Sequence, residues 1–96
     1  HTQDYWGRMK RLELTDREMR AIGFPLSAGL VERETRICAG TVWCARQSEA
    51  TGVALNVAGG THHAFADRGE GFCLLNDFAI AAKQILHEDT RERILI

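Results

Sequence analysis

Proline is almost absent from this chain, with Pro25 alone among 96 residues, so no polyproline segment or stiff linker is available. No apolar run approaches the length of a bilayer span, and no secretory leader is visible, which excludes a transmembrane role for these residues. Cysteine is sparse. Cys38, Cys44 and Cys73 are odd in number and lack CxxC spacing, which argues against a disulfide framework and predicts reduced thiols in a cytoplasmic protein. Charge of either sign is also missing in excess, since 12 basic and 13 acidic side chains leave a net charge of −1. That balance offers no surface for a polyanion, so no direct nucleic-acid partner is expected. The basic residues between Arg8 and Arg20 alternate with Glu13, Asp16 and Glu18 and read as a solvated helix face.

What is present is one small domain's worth of alternating patterns. Tyr5, Met9 and Leu12 stand near helical spacing. Thr15-Asp16-Arg17-Glu18 has the form of a capping box, predicting a helix that starts at Asp16, buries Met19 and Ile22, and stops at Gly23. Ser27 reads as the N-cap of the longest helix, over residues 28–49, with Val31, Thr35, Cys38, Val42 and Ala45 as its buried face and Gly52 closing it. Ala39 and Gly40 are small enough for a neighbouring element to come close. Residues 53–57, Val-Ala-Leu-Asn-Val, are apolar and predict a strand covered on both faces. After a long loop, Asn76 or Asp77 caps a last helix with Phe78, Ala81, Ala82, Ile85 and Leu86 inside, and residues 93–96 begin a second strand. Helix, strand, long loop, helix, strand is α/β order and predicts a parallel sheet flanked by helices.

The loop between residues 58 and 75 carries the chemistry. It runs Gly59-Gly60-Thr61-His62-His63-Ala64 and later Gly71-Phe72-Cys73, with Asn76-Asp77 just beyond it. It leaves the carboxyl end of the predicted strand, where open α/β sheets bind their ligands. Histidine is the side chain whose unperturbed pKa lies nearest neutrality, so an adjacent pair can divide proton transfer between them. Two loop histidines with no shared task are the plain alternative. A metal role suits imidazole, but neighbouring residues seldom reach one ion together and no third ligand stands at a usual spacing. The run from His62 to Asp67 also spells HHxxxD, the pattern of a class of acyltransferases, with three fixed positions. Cys73 reads as a buried, inert thiol. Asn76 and Asp77 read as capping and loop-anchoring groups, Asp67, Arg68 and Glu70 as solvated charges, and Trp6 and Trp43 as packing residues.

Gly59-Gly60-Thr61-His62-His63-Ala64, Asp67-Arg68-Gly69 and Gly71-Phe72-Cys73-Leu74-Leu75-Asn76-Asp77, at this spacing, resemble the zinc-dependent histone deacetylase family, and Gly23-Phe24-Pro25 and Leu30-Val31-Glu32-Arg33 add to the match. The similarity runs over essentially the whole chain and is strongest to bacterial and class IV-like members. It implies an arginase/deacetylase-like three-layer α/β fold, of which these residues would be the N-terminal part of one domain. It further implies hydrolysis of an acylated lysine in a protein or of a small acylated amine. By the same resemblance His63 is the general base and acid, His62 its companion imidazole, the Gly71 carbonyl an acceptor for the substrate amide, and Phe72 one wall of the acyl-lysine tunnel.

An unactivated amide also needs an electrophile for its oxygen. The resemblance implies zinc, with its ligands in an Asp-x-His segment and a later aspartate that these 96 residues do not contain, so no metal ligand is assigned to this chain. No acidic residue stands between Gly23 and Gly29, where many family members carry one at the tunnel rim. Besides the acyltransferase, a non-catalytic acyl-lysine-binding module is the remaining alternative. Unpaired sheet edges would favour self-association of the isolated chain. The expected behaviour of these 96 residues alone is weak zinc binding and no deacylase activity. Titration with zinc and an acetyl-lysine peptide assay check it, and robust hydrolysis would overturn it.

Overall fold

Helices start where the sequence supplies a side-chain acceptor for the first free N–H groups. In the computed structural model, which describes residues 1–88 and 93–96, four do so: α1 (Gln3–Lys10), α2 (Asp16–Ile22), α3 (Ala28–Thr51) and α4 (Asp77–Glu88). Thr2 accepts from the Tyr5 amide at 3.3 Å and Ser27 from the Leu30 amide at 3.1 Å. At α2 the capping box is complete, because the Thr15 hydroxyl accepts from the Glu18 amide while the Glu18 carboxylate accepts from the Thr15 amide. Asn76 caps α4 by accepting from the Ala79 amide at 2.9 Å. Gly23 and Gly52 end α2 and α3 in the left-handed region, as the pattern predicts.

The core gathers Tyr5 and Met9 of α1, Leu14, Ile22 of α2, Cys38 of α3, and Leu74 and Leu75 from the loop before α4. Tyr5 is its polar anchor. Its hydroxyl donates to the Leu74 carbonyl at 2.8 Å, and burial, reinforced by the Glu18 carboxylate, pushes its pKa up to about 12. Gly69 crosses directly over this contact. A Cβ there would stand 2.7 Å from the Cys73 carbonyl oxygen and 2.8 Å from the Tyr5 hydroxyl. α3 lies along α4 and is tied to it at its far end by the Arg46–Glu88 ion pair.

Several expectations change. α3 turns a different face inward: Glu34, Ile37 and Cys38 are buried, Val31, Val42 and Ala45 are partly buried, and Thr35 is exposed with its hydroxyl donated back to the Val31 carbonyl. The loop reaches this helix through Asn56, which donates to the Ile37 carbonyl and to Thr41. In α4 only Ala81 and Ile85 of the predicted stripe are buried, while Phe78 and Leu86 reach the surface. Trp43 is exposed rather than packed.

The expected parallel sheet is not seen among the described residues. Residues 53–57 and 93–96 form no strand, and no strand is present among the described residues. Leu55 is 85 % exposed and Leu95 99 %. An extended segment becomes a strand only when a neighbour pairs with its backbone and covers its faces. These two segments instead line, with Ala45 of α3 and Ala81 and Ile85 of α4, an apolar groove of about 650 Å³. No described helix is long and apolar enough to cross a membrane.

Replacing Tyr5→Phe should lower unfolding free energy by about 1 kcal/mol, the usual worth of one buried hydrogen bond. Urea denaturation measures it, and an unchanged midpoint would show that the Leu74 carbonyl gains nothing from the phenol.

Candidate active site

Asp77 opens α4 and is fully buried, so its charge must be met by donors. Each oxygen takes two. Oδ2 accepts from the Thr41 hydroxyl of α3 at 2.6 Å and the Gly60 amide at 2.9 Å, and Oδ1 accepts from the Thr61 amide at 2.8 Å and hydroxyl at 3.1 Å. Burial by itself would raise this carboxyl's pKa, but these four donors outweigh it and hold it below the usual carboxylate range. The cradle leaves no room beside it: a Cβ on Gly59 would stand 2.8 Å from Asp77 Oδ2 and 2.9 Å from Thr41 Oγ1. Asn56 completes the wall, donating to the Ile37 carbonyl at 2.9 Å and to Thr41 Oγ1 at 2.8 Å. Gly40 admits it, since a Cβ there would meet the Asn56 amide at 3.0 Å.

The glycine-rich turn is thus pinned just before the histidines. Asn76 pins the histidine stretch itself, its side-chain amide donating to the carbonyls of His62 at 3.1 Å and Ala64 at 2.9 Å. Between these anchors both imidazoles reach solvent, their ring centroids 4.2 Å apart and their planes 41° from parallel. His62 Nδ1 stands 3.0 Å from the Gly60 carbonyl. A carbonyl can only accept, so the proton is on Nδ1, leaving Nε2 as the nitrogen open to a ligand. The His62 ring is stacked at 6.4 Å on Phe78 of α4. His63 lies across Gly71, where a Cβ would stand 3.2 Å from its Cβ and Cγ.

His62, His63 and Gly71 share one cavity of about 400 Å³, with Ala64, Phe65, Glu70 and Asn76 as its other walls. Phe72 does not line that cavity. It is held at φ +65 by backbone hydrogen bonds donated from the Gly71 amide to the Ala21 carbonyl (3.0 Å) and from the Phe72 amide to the Ile22 carbonyl (2.8 Å), and the residue is 66 % exposed. The ring rests against Gly23, where a Cβ would come within 2.7 Å, and meets Phe24 edge-on at 5.4 Å. The Gly71 carbonyl takes only a weak contact from the Cys73 thiol, at 3.5 Å, among the described residues. Asp67 pairs with Arg68 at 3.3 Å and Arg68 with Glu70 at 3.5 Å, as solvated loop charges would. Cys73 is buried as expected. No group of three or more His, Cys, Asp or Glu that could hold a metal occurs among the described residues.

The chain matches the histone deacetylase domain over residues 1–96, and it belongs to that family. It is 45 % identical over 96 residues to an uncharacterised protein of Picosynechococcus sp., covering all of this chain and 32 % of that one. It is 34 % identical over 95 residues to the acetoin utilization protein AcuC of Bacillus subtilis, covering 88 % of this chain and 24 % of AcuC. Histone deacetylase clr6 of Schizosaccharomyces pombe is 38 % identical over 64 residues, covering 65 % of this chain and 16 % of clr6. The chain therefore spans about a third or less of the length of these relatives.

Sequence reasoning missed Thr41, Asn56 and Glu70 as parts of the site. Thr41 and Asn56 carry no local signal, because their role exists only once Asp77, 36 residues from Thr41, is brought alongside. Asp77→Asn should destabilise by about 2–4 kcal/mol, because either amide orientation points its NH₂ at a backbone N–H. Asp77's folded pKa is lowered, so its contribution is complete above the unfolded value of about 3.9 and is lost as pH falls through the folded one. The gap between wild type and variant in denaturant titrations should accordingly narrow toward acid, and a pH-independent gap would contradict the charged cradle.

Proposed function

We propose that the protein carrying these residues is a hydrolase that removes the acyl group from an acylated lysine or a small acylated amine. The observation carrying this reading is the His62–His63 pair, side by side on one cavity with the Gly71 backbone, in a chain of the histone deacetylase family. His63 takes the proton of the attacking water and returns it to the departing amine. His62 is the companion imidazole; with Nδ1 engaged at the Gly60 carbonyl, its charged form would offer Nε2–H as a donor to the negative charge that develops in the transition state. The exposed Gly71 carbonyl accepts a hydrogen bond from the substrate amide, and Phe72, with Phe24 at its edge, forms an apolar wall beyond Gly71 for the acyl-lysine stem. An ordinary HHxxxD acyltransferase arrangement gains no support from Asp67, which is engaged by Arg68 rather than by either histidine.

Zinc would supply the electrophile that polarises the amide carbonyl and acidifies the water. The described residues do not fit that ion, since no group of three or more His, Cys, Asp or Glu among them could hold it and the Glu70 carboxylate on the same cavity pairs with Arg68, so zinc dependence of the whole protein rests on ligands elsewhere. For the whole domain we propose the arginase/deacetylase-like layered fold, in which residues 53–57 and 93–96 become paired strands. What supports it is that both segments are apolar, exposed and on one groove over α3 and α4. The same exposed surface would promote self-association of the 96 residues alone. Three free thiols suit a cytoplasmic setting.

In the zinc-loaded intact protein His63→Ala should lower kcat for an acetyl-lysine peptide about 10²–10⁴-fold with little change in KM, and His62→Ala should lower it less. Retention of wild-type kcat by His63→Ala would sink the assignment. Protection of the site by an acyl-coenzyme A would point to acyl transfer instead.

A further inference from the structure

The amide of a helix N-cap residue has no partner within its own helix. At α4 that amide belongs to Asn76, and it donates to Nε2 of His1, 3.0 Å away and 75 residues distant in sequence. His1 also stands in ring contact with Tyr5 at 5.5 Å. The next residue continues the strap: the Thr2 amide donates to the Ala66 carbonyl at 2.7 Å while the Thr2 hydroxyl caps α1. Tyr5 adds its bond to the Leu74 carbonyl at 2.8 Å. The segment from His1 to Tyr5 therefore touches the active-site loop at residues 66, 74 and 76, and α1 is fixed to the loop as one unit.

Asn76 is the point that matters for chemistry, because its side chain holds the carbonyls of His62 and Ala64 on either side of His63. We infer that His1 is a positioning residue for the His62–His63 pair, acting through Asn76, and that it does so only as a neutral imidazole. Nε2 accepts from the Asn76 amide, so it cannot carry a proton while the bond exists. Protonation turns that acceptor into a donor facing a donor and releases Asn76. The groups that face His1 are few. Tyr5 presents a neutral ring from α1, and Lys83 and His87 of α4 border the same cavity. The wall from the loop is Ala64, Phe65 and Ala66, with no charge.

This inference rests on the proton-transfer reading of the two loop histidines, and its test separates the two. In the intact protein, His1→Leu removes the acceptor and His1→Gln replaces it with an amide oxygen that does not titrate. Ring ¹⁵N spectra and amide exchange read the network without any activity. His1→Leu should speed exchange of the Asn76 amide and shift the ring signals of both His62 and His63, and His1→Gln should restore them. In the zinc-loaded enzyme His1→Leu should lower kcat about ten-fold or more at little cost in KM, since misplacement by a fraction of an ångström suffices. His1→Gln should recover most of that rate and lose less of it toward acid pH than wild type. Ring signals of His62 and His63 that do not move in His1→Leu overturn the inference, whatever the activity. So does a wild-type kcat in His1→Leu, or a His1→Gln enzyme as impaired as His1→Leu. An intact protein with no deacylase activity, but with the ring shifts present and rescued, would sink the functional reading and leave the positioning role standing.

Discussion

One buried carboxylate organises the molecule. Asp77 brings a negative charge to the N-terminus of α4, where free amides favour it, and then collects donors from α3 and from the turn ahead of the histidines. A charge without those donors would be too costly to bury, and a turn without that charge would have two amides pointing at nothing. The requirement spreads outward. Gly59 must lack a side chain to let the oxygens in, and Asn56 must lie on Gly40 to close the wall around Thr41. Asn76, one residue earlier, takes the other side of the loop through the His62 and Ala64 carbonyls. Neighbouring residues at one helix start thereby define the path on both sides of the histidine pair.

The same charge colours the face of α3 that lies against it. Cys38 has its thiol pushed up to about 12, first by burial and then by the nearby carboxylates of Asp77 and Glu34, so it remains a protonated packing residue rather than a nucleophile. Glu34 is itself buried, with one oxygen bonded to Arg33 and the other unpartnered, and burial raises its pKa while Arg33 opposes the rise. A helix face that holds two carboxylate neighbours and a hydroxyl relay is polar inside. The expected stripe on α3 included Thr35, which is exposed, and left out Glu34 and Ile37, which are buried.

Local chemistry was legible and long-range pairing was not. The Thr15–Glu18 box, the Ser27 cap and the glycine stops at 23 and 52 act within a few residues, so their sequence signals and their physical causes coincide. Asn76 and Asp77 were readable as anchors, though not the groups they hold. Residues 53–57 and 93–96 were legible only as apolar segments, because pairing depends on a neighbour that these residues do not provide. Of the four site residues, His62, His63 and Gly71 meet on one cavity, whereas Phe72 turns away over Gly23 because its backbone is clamped to the end of α2.

By itself the sequence determined where the helices begin and end, which loop bears the histidines, and the family to which the chain belongs. Those properties follow from short-range capping, backbone freedom and a contiguous motif. Only the tertiary structure decided which nitrogen of His62 is open, that Thr41 and Asn56 stand behind the glycine turn, and that His1 reaches Asn76. Each of those depends on hydrogen bonds whose donor and acceptor become neighbours through the path of the folded backbone, and side-chain type along the chain carries no record of that distance.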